Sequence, residues 1–391
     1  MKVRPRIIIL TNVTIERIRN TGRITPGNRA MTHQNAGRIA GLDGLRALSV
    51  LAVFLSHTGL AGVDGGFIGV DVFFVLSGFL ITRLLAAEYA RARRISLAAF
   101  YGRRARRLYP ALFGVLAAVA IYCSMFEPRL SGPLEVLPAL LYVMNWVRAF
   151  GGYDAVLTGH TWSLAIEEQF YLLWPLILLG LMTLDRRRAL IGLVAIALAI
   201  CGWRYWLFSV DHVSLARIYS GFDTHTDGLI YGALLALLSH ERVRQLGYLW
   251  PVGAGYLCLA LFNPHVVGFA VNPHGYAVTA IAAALVIARV VTAQSSLLVR
   301  GLDVSPLAGL GRVSYGFYLW HYPVIHVMLY AGHDPIAGFF GGFSHPKLAM
   351  VASTFAVSLA FTLASWFVIE KPAMRLRFPR RPSPERRLQT H

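Results

Sequence analysis

The stretch GLDGLRALSVLAVFLSHTGLAGVDGGFIGVDVFFVLSGFLIT, residues 41–82, sets an arginine, a histidine and an aspartate inside two apolar runs. Arg46 and His57 share the first run and Asp71 opens the second. Ionisable groups are costly at membrane depth, so their presence there points to function before packing. An arginine whose head snorkels to the interface and a hydrogen-bonded packing histidine are the structural readings of the same residues.

Composition puts the whole chain in the same class. With 391 residues, 56% hydrophobic and 14% charged, and a mean hydropathy of +0.55, the sequence reads as an all-α polytopic membrane protein. The net charge of +18 does not mark a nucleic-acid partner, because the basic residues cluster between apolar runs in the positive-inside pattern. Cys123, Cys201 and Cys258 are odd in number and far apart, each in an apolar run. They are expected to be inert core thiols, with no disulfide framework and no metal site.

A helix needs about 20 residues to cross about 30 Å of hydrocarbon. The apolar runs place about ten transmembrane helices near 44–62, 66–85, 108–127, 163–183, 189–209, 225–240, 246–263, 274–293, 313–333 and 347–369. An eleventh run, 134–150, is read as interfacial or re-entrant. Counting it as a crossing would put Arg186, Arg187, Arg188, Arg242 and Arg244 on the outer side, against the positive-inside bias. Both termini are then cytosolic, and the longest outer connection, 128–162, leads into a span that carries glutamates.

Residues 1–40 are basic and polar, and their only apolar run, Ile7 to Leu10, is too short for a signal-peptide core. They are expected to form a disordered cytosolic tail, with Met31 as an alternative start. Residues 376–391 form a second short basic tail, and no repeat of fixed period is evident.

Few residues carry chemistry. Eleven steps separate Arg46 from His57, about 1100° on an α-helix, so they fall within about 20° of one face and about 16 Å apart in depth. That arrangement suits an anionic co-substrate held at a cytosolic mouth while a histidine acts further in. Asp71 is placed near the level of His57, where a carboxylate can orient an imidazole; helix capping is its competing role. Gly65, Gly66, Gly69 and Gly78 suit close approach between helices. Eight arginines lie between Arg83 and Arg107. Positive-inside bias explains most of them, but Arg103, Arg104, Arg106 and Arg107 are compact enough to grip phosphates bidentately.

In HTWSLAIEEQFYLLWP, Ser163, Glu167 and Tyr171 recur every four residues and draw one polar stripe on an apolar helix. Glu168 faces elsewhere, where an arginine can pair with it, and His160 reads as a surface histidine. Asp223 and Asp227, four apart in DTHTDGL, and His321, mid-span in SYGFYLWHYP before a helix-kinking Pro323, can line the same cavity. For His321 alone, a satisfied core histidine is the simpler role.

The order of these motifs resembles the acyltransferase family 3 of integral membrane proteins. It runs from Arg, ten residues, His, through GVDVFFVLSGFLIT, RRARRLYPAL, WSLAIEEQFYLLWP, DTHTDGL and SYGFYLWHYP to WFVIEKP, over residues 41–375. The resemblance implies a membrane acyltransferase domain in the cytoplasmic membrane. The implied reaction moves an acyl group, usually acetyl from acetyl-CoA, to a hydroxyl of a carbohydrate or other acceptor. Through it, His57 maps to the essential histidine, Arg46 to its paired arginine, and Arg104 and Arg107 to the arginine pair after the second span. Trp162, Ser163 and Glu167 map to the Trp-Ser-Leu…Glu segment. His225 stands where the family more often has arginine, and no hydrolase-like soluble domain is seen after the last span.

Together these readings assign His57 as base or acyl carrier, with Glu167 or Asp71 to orient it. Arg46, Arg103, Arg104 and Arg107 would hold acyl-CoA, and Trp162, Ser163, Asp223, Asp227 and His321 would face the acceptor. Three alternatives stay open: a small-molecule acceptor such as a macrolide, a lipid-linked donor, and a transporter with intramembrane charges.

Overall fold

The structure is a computed structural model that describes residues 38–263, 275–330 and 343–375. Residues 1–37 of the basic tail expected at 1–40, the tail expected at 376–391, the connection at 264–273 and most of that at 334–346 fall outside these residues. Every described element is helical: in chain order, α1 (Leu42–His57), α2 (Ile68–Ala92), α3 (Leu97–Met125), α4 (Gly132–Leu140), α5 (Met144–Ala149), α6 (Trp162–Leu181), α7 (Arg186–Ser209), α8 (Leu215–Ser220) and α9 (Phe222–His225). There follow α10 (Asp227–Leu237), α11 (His240–Gly247), α12 (Trp250–Phe262), α13 (Gly275–Thr292), α14 (Leu297–Leu302), α15 (Ser305–Arg312), α16 (Ser314–Ile325), α17 (Pro346–Ser365) and α18 (Lys371–Arg375). Short π-helical turns extend α16 over His326–Tyr330 and α17 over Trp366–Glu370.

Among the described residues six helices are long and apolar enough to cross a membrane, and a seventh span results if α11 and α12, bent by 55°, are taken together. The chain is a multi-pass membrane protein. Three of the ten runs marked in the sequence are shorter helices: α1 with 16 residues, α10 with 11 and α16 with 12. Residues 134–150 form two short helices, α4 and α5, rather than one continuous span.

Lipid replaces water as the solvent for much of this surface. On α7, Ile191, Leu198, Trp203 and Trp206 face outward, as do Leu172 and Leu176 of α6. The interior is correspondingly polar for a membrane bundle, with Asp71, Glu135, Arg204, His225, Asp227 and His321 all buried. Between them pack large apolar groups such as Phe54, Phe74, Trp174 and Phe317, none more than 2% exposed.

The most extensively packed helix pair, α2 with α10, is built on glycine. A Cβ on Gly78 would overlap the Leu229 carbonyl, and one on Gly232 would overlap the Val75 carbonyl. Small residues let backbones meet in this way where dispersion, rather than water release, drives association. Gly78 therefore has the packing role read from the sequence. The cysteines differ from expectation in one respect: Cys123 is buried, but Cys201 is half-buried and Cys258 exposed.

Candidate functional site

Five helices meet around a cavity with about 670 Å³ of space, counting the part open to solvent. The first turns of α1 contribute Arg46, α2 contributes Ser77, and the basic start of α3 contributes Arg104 and Arg107. From α6 come Ser163, Glu167 and Tyr171, and from α16 Ser314, Tyr315 and Tyr318. The three-residue stripe on α6 thus lines one wall over about 12 Å of helix rise. Around the cavity, Arg107 is exposed while Arg46 and Arg104 are half-buried.

Electrostatics differ between the two ends. At the basic end, the Arg104 guanidinium lies 3.7 Å from the centre of the Tyr171 ring and meets Glu168 at 3.6 Å. The Arg104 Nε is buried without a partner, so the site still has donor capacity for an anion. Arg46 reaches Asp43 at 3.4 Å. Midway, Ser77 donates a 2.6 Å hydrogen bond to Glu167 Oε1. At the far end Ser163 and Tyr318 share a 2.6 Å hydrogen bond, and the Tyr318 hydroxyl donates to the His160 carbonyl at 2.7 Å.

One turn beyond Tyr318 on α16 lies His321, fully buried, and its Nε2 stands 3.0 Å from His57 Nδ1. The tautomers follow from what surrounds them. His321 Nδ1 faces two carbonyl oxygens, Tyr318 at 2.6 Å and Phe317 at 3.2 Å, and carbonyls only accept. In the neutral pair His321 Nδ1 therefore carries the proton and Nε2 the lone pair, so His57 donates from Nδ1 and keeps its lone pair on Nε2. The second ring nitrogen of a histidine is commonly fixed in this way when the first does chemistry. His57 also packs edge-on against Tyr322, 4.9 Å between ring centres. His57 itself is not among the residues lining the cavity; His321 and Tyr318 connect the two.

Several site residues stand elsewhere than expected. Asp71 does not orient His57; its Oδ1 lies 2.9 Å from His225 Nε2, and His225 Nδ1 donates to the Tyr219 carbonyl at 2.7 Å. The Asp71 partner is therefore the histidine at the position where the family more often has arginine. Glu167 contacts Ser77 rather than His57 and belongs to the arginine end. Asp227 does not line the cavity but forms a buried, two-oxygen pair with Arg204, both bonds 2.9 Å.

Asp223 is likewise committed, to Arg217 at 2.9 Å and to Trp203 Nε1 at 2.7 Å. Burial alone would raise its carboxyl, but the hydrogen bonds from Arg217 and Trp203 outweigh that and hold it below the usual carboxylate range. Trp162 stacks on His225 and packs at a tilt against Tyr219 rather than on a cavity wall. Arg103 is exposed and meets Glu88 at 3.4 Å, away from the other arginines of its group. His160 is no surface residue: it is 2% exposed.

Glu135, passed over in the sequence, organises the approach to the site. Fully buried, its carboxylate accepts from the backbone of Val156, Leu157 and Thr158 at 2.7, 3.0 and 3.1 Å, and from the Tyr153 hydroxyl at 3.1 Å. It closes the loop that delivers His160 to the start of α6. An isolated glutamate between two prolines, Pro133 and Pro138, within an apolar outer run was its only signal.

A multi-pass helical bundle whose arginine-lined cavity leads toward a histidine pair is the class these observations define. The family model described as an acyltransferase domain, acyltransferase family 3, matches residues 39–370, and the chain belongs to that family. It is 34% identical over 306 residues to O-acetyltransferase OatA of Staphylococcus aureus, covering 73% of this chain and 50% of the relative. To peptidoglycan O-acetyltransferase OatA of Listeria monocytogenes it is 35% identical over 309 residues, covering 73% and 49%. The chain thus spans about half the length of these relatives. No solved structure matches it.

Proposed function

We propose that this protein is a membrane O-acetyltransferase that takes acetyl from acetyl-CoA and transfers it to a hydroxyl of a glycan. The observation that carries the reading is the continuity of the site. A cavity bearing Arg46, Arg104 and Arg107 at one end closes at Ser163 and Tyr318, one helical turn from the His321–His57 pair. The arginines suit the phosphates of a nucleotide-type donor, which guanidinium groups bind with charge-assisted hydrogen bonds. The span from Arg46 to His57, about 16 Å of helix, is of the order of a pantetheine arm. The relative from Listeria monocytogenes, named a peptidoglycan O-acetyltransferase, favours a glycan over a small-molecule acceptor.

In this reading His57 Nε2 removes the proton of the acceptor hydroxyl as its oxygen forms a bond to the acyl carbon. The carbon–sulfur bond then breaks, and the CoA thiolate leaves with the proton returned by His57. Trapping of the acyl group on His57 before transfer is the covalent variant of the same step. Glu167, bonded to Ser77 within reach of the arginines, is assigned to the donor end.

The arginine end opens to the cytosol and both termini lie there. The three shorter helices α1, α10 and α16 complete ten crossings with the seven longer spans. Purified protein incubated with radiolabelled acetyl-CoA and an oligomer of N-acetylglucosamine tests the reading. Label should appear on the glycan as an alkali-labile ester, and its absence with acetyl-CoA but presence with another acyl donor would overturn the assigned co-substrate.

A further inference from the structure

His160 lies in the 3-10 turn Gly159–Thr161 that opens α6, and neither of its ring nitrogens makes a well-formed hydrogen bond, although the Tyr318 backbone faces the ring. At 2% exposure this is an expensive state, since buried polar groups are almost always satisfied and an unsatisfied one points to a ligand. The ring is held, not loose. It stacks on Tyr322 at 4.7 Å between centres and lies 5.4 Å from His321, while Arg148 donates to the Gly159 carbonyl and pins the turn.

Tyr322 is flanked by both His160 and His57, at 4.7 and 4.9 Å, which places the two histidines in one aromatic cluster. Several hydrogen-bonding hydrogens of the neighbours are committed elsewhere. Tyr318 donates to the His160 carbonyl, Thr161 to the Thr158 carbonyl, and His321 to the Tyr318 carbonyl. Beside the remaining N–H groups of Arg148, the imidazole N–H of His160 is a donor in this cluster that a ligand can take up.

Acyl transfer to a hydroxyl needs such a donor. As the acceptor oxygen bonds to the acyl carbon, the carbonyl π pair moves onto the carbonyl oxygen, and a fixed N–H aimed at that oxygen lowers the barrier. We propose that His160 supplies this hydrogen bond: its N–H binds the acyl carbonyl oxygen and stabilises the tetrahedral oxyanion while His57 carries the hydroxyl proton. The inference rests on the acetyl-transfer reading above. Collapse of the oxyanion restores the carbonyl, expels the thiolate of the acyl thioester, and releases the His160 bond to its ground-state strength.

Steady-state kinetics of the full chain with acetyl-CoA and an N-acetylglucosamine oligomer test it, using His160→Phe and His160→Gln, whose amide retains an N–H donor. The Phe variant should lose about 10²- to 10³-fold in kcat, the usual effect of removing one such donor, with both KM values within threefold. The Gln variant should regain at least tenfold of that loss. If His160→Phe does not fold, His160→Ala assayed with and without added imidazole takes its place, and rescue by imidazole is the supporting result. A kcat within fivefold of wild type, equal impairment of Phe and Gln, or an effect confined to the acceptor KM would overturn the proposal. His57→Ala in the same preparation separates the two readings. Should it keep full activity, the acetyl-transfer mechanism fails; loss there with an indifferent His160→Phe removes only the oxyanion role.

Discussion

His321 earns its importance from two carbonyl oxygens and one neighbour. With Nδ1 turned to Tyr318 and Phe317, it can only accept from His57, and this fixes the His57 tautomer without any carboxylate. Replacing it with Leu should leave His57 Nδ1 without its acceptor and lower kcat toward the 10²–10⁴-fold that a positioned base contributes, with the acetyl-CoA KM held. His321→Gln, which keeps a carbonyl acceptor, should retain more, and kcat measured from pH 5 to pH 9 is the check. None of this was legible locally. The sequence showed the Arg46–His57 stripe because helical rotation is a local property, but His57 and His321 are 264 residues apart and their meeting depends on how α1 packs on α16. Asp71 is the same lesson reversed: its depth near His57 was reasonable, yet His225, 154 residues away, lies closer once α10 seats on α2.

At the level of elements, glycine contacts and one buried carboxylate hold the site in place. A Gly232→Val side chain has nowhere to go but the Val75 carbonyl. Overpacking of this kind costs about 1–3 kcal/mol, and backbone overlap puts this case at the upper end, which a thermal melt in detergent should show as a lowered Tm. Glu135→Ala should remove an acceptor from three backbone N–H groups of the loop before His160. Each buried donor left unsatisfied costs about 1–3 kcal/mol, so the expected signs are a lowered Tm and new proteolytic cleavage between residues 151 and 158. The Gln variant should be milder. Periodicity announced the α6 stripe, and all three of its residues line the cavity. It could not announce the loop, whose order comes from a single side chain reaching over 20 residues along the chain.

Across the whole molecule, charge is arranged along the route that an acyl group would follow. Arg107→Ala should raise the acetyl-CoA KM about tenfold or more, as a charge-assisted contact is worth about 1.5–3 kcal/mol and about 1.4 kcal/mol is tenfold. The kcat at saturating donor should hold. Sealed vesicles of known orientation should acetylate glycan only when acetyl-CoA is supplied on the side of the arginine end, read as label on the acceptor. The class of protein, its helices and its arginine-rich boundary were visible in composition and charge, because the bilayer imposes them on sequence directly. The mutual assignment of buried polar partners was not, since it is decided by packing. The most direct measurement is acetyl transfer from radiolabelled acetyl-CoA to an N-acetylglucosamine oligomer by purified His57→Ala beside wild type. Loss of transfer with acetyl-CoA binding intact is the expected result, and retained transfer would contradict the central role of His57.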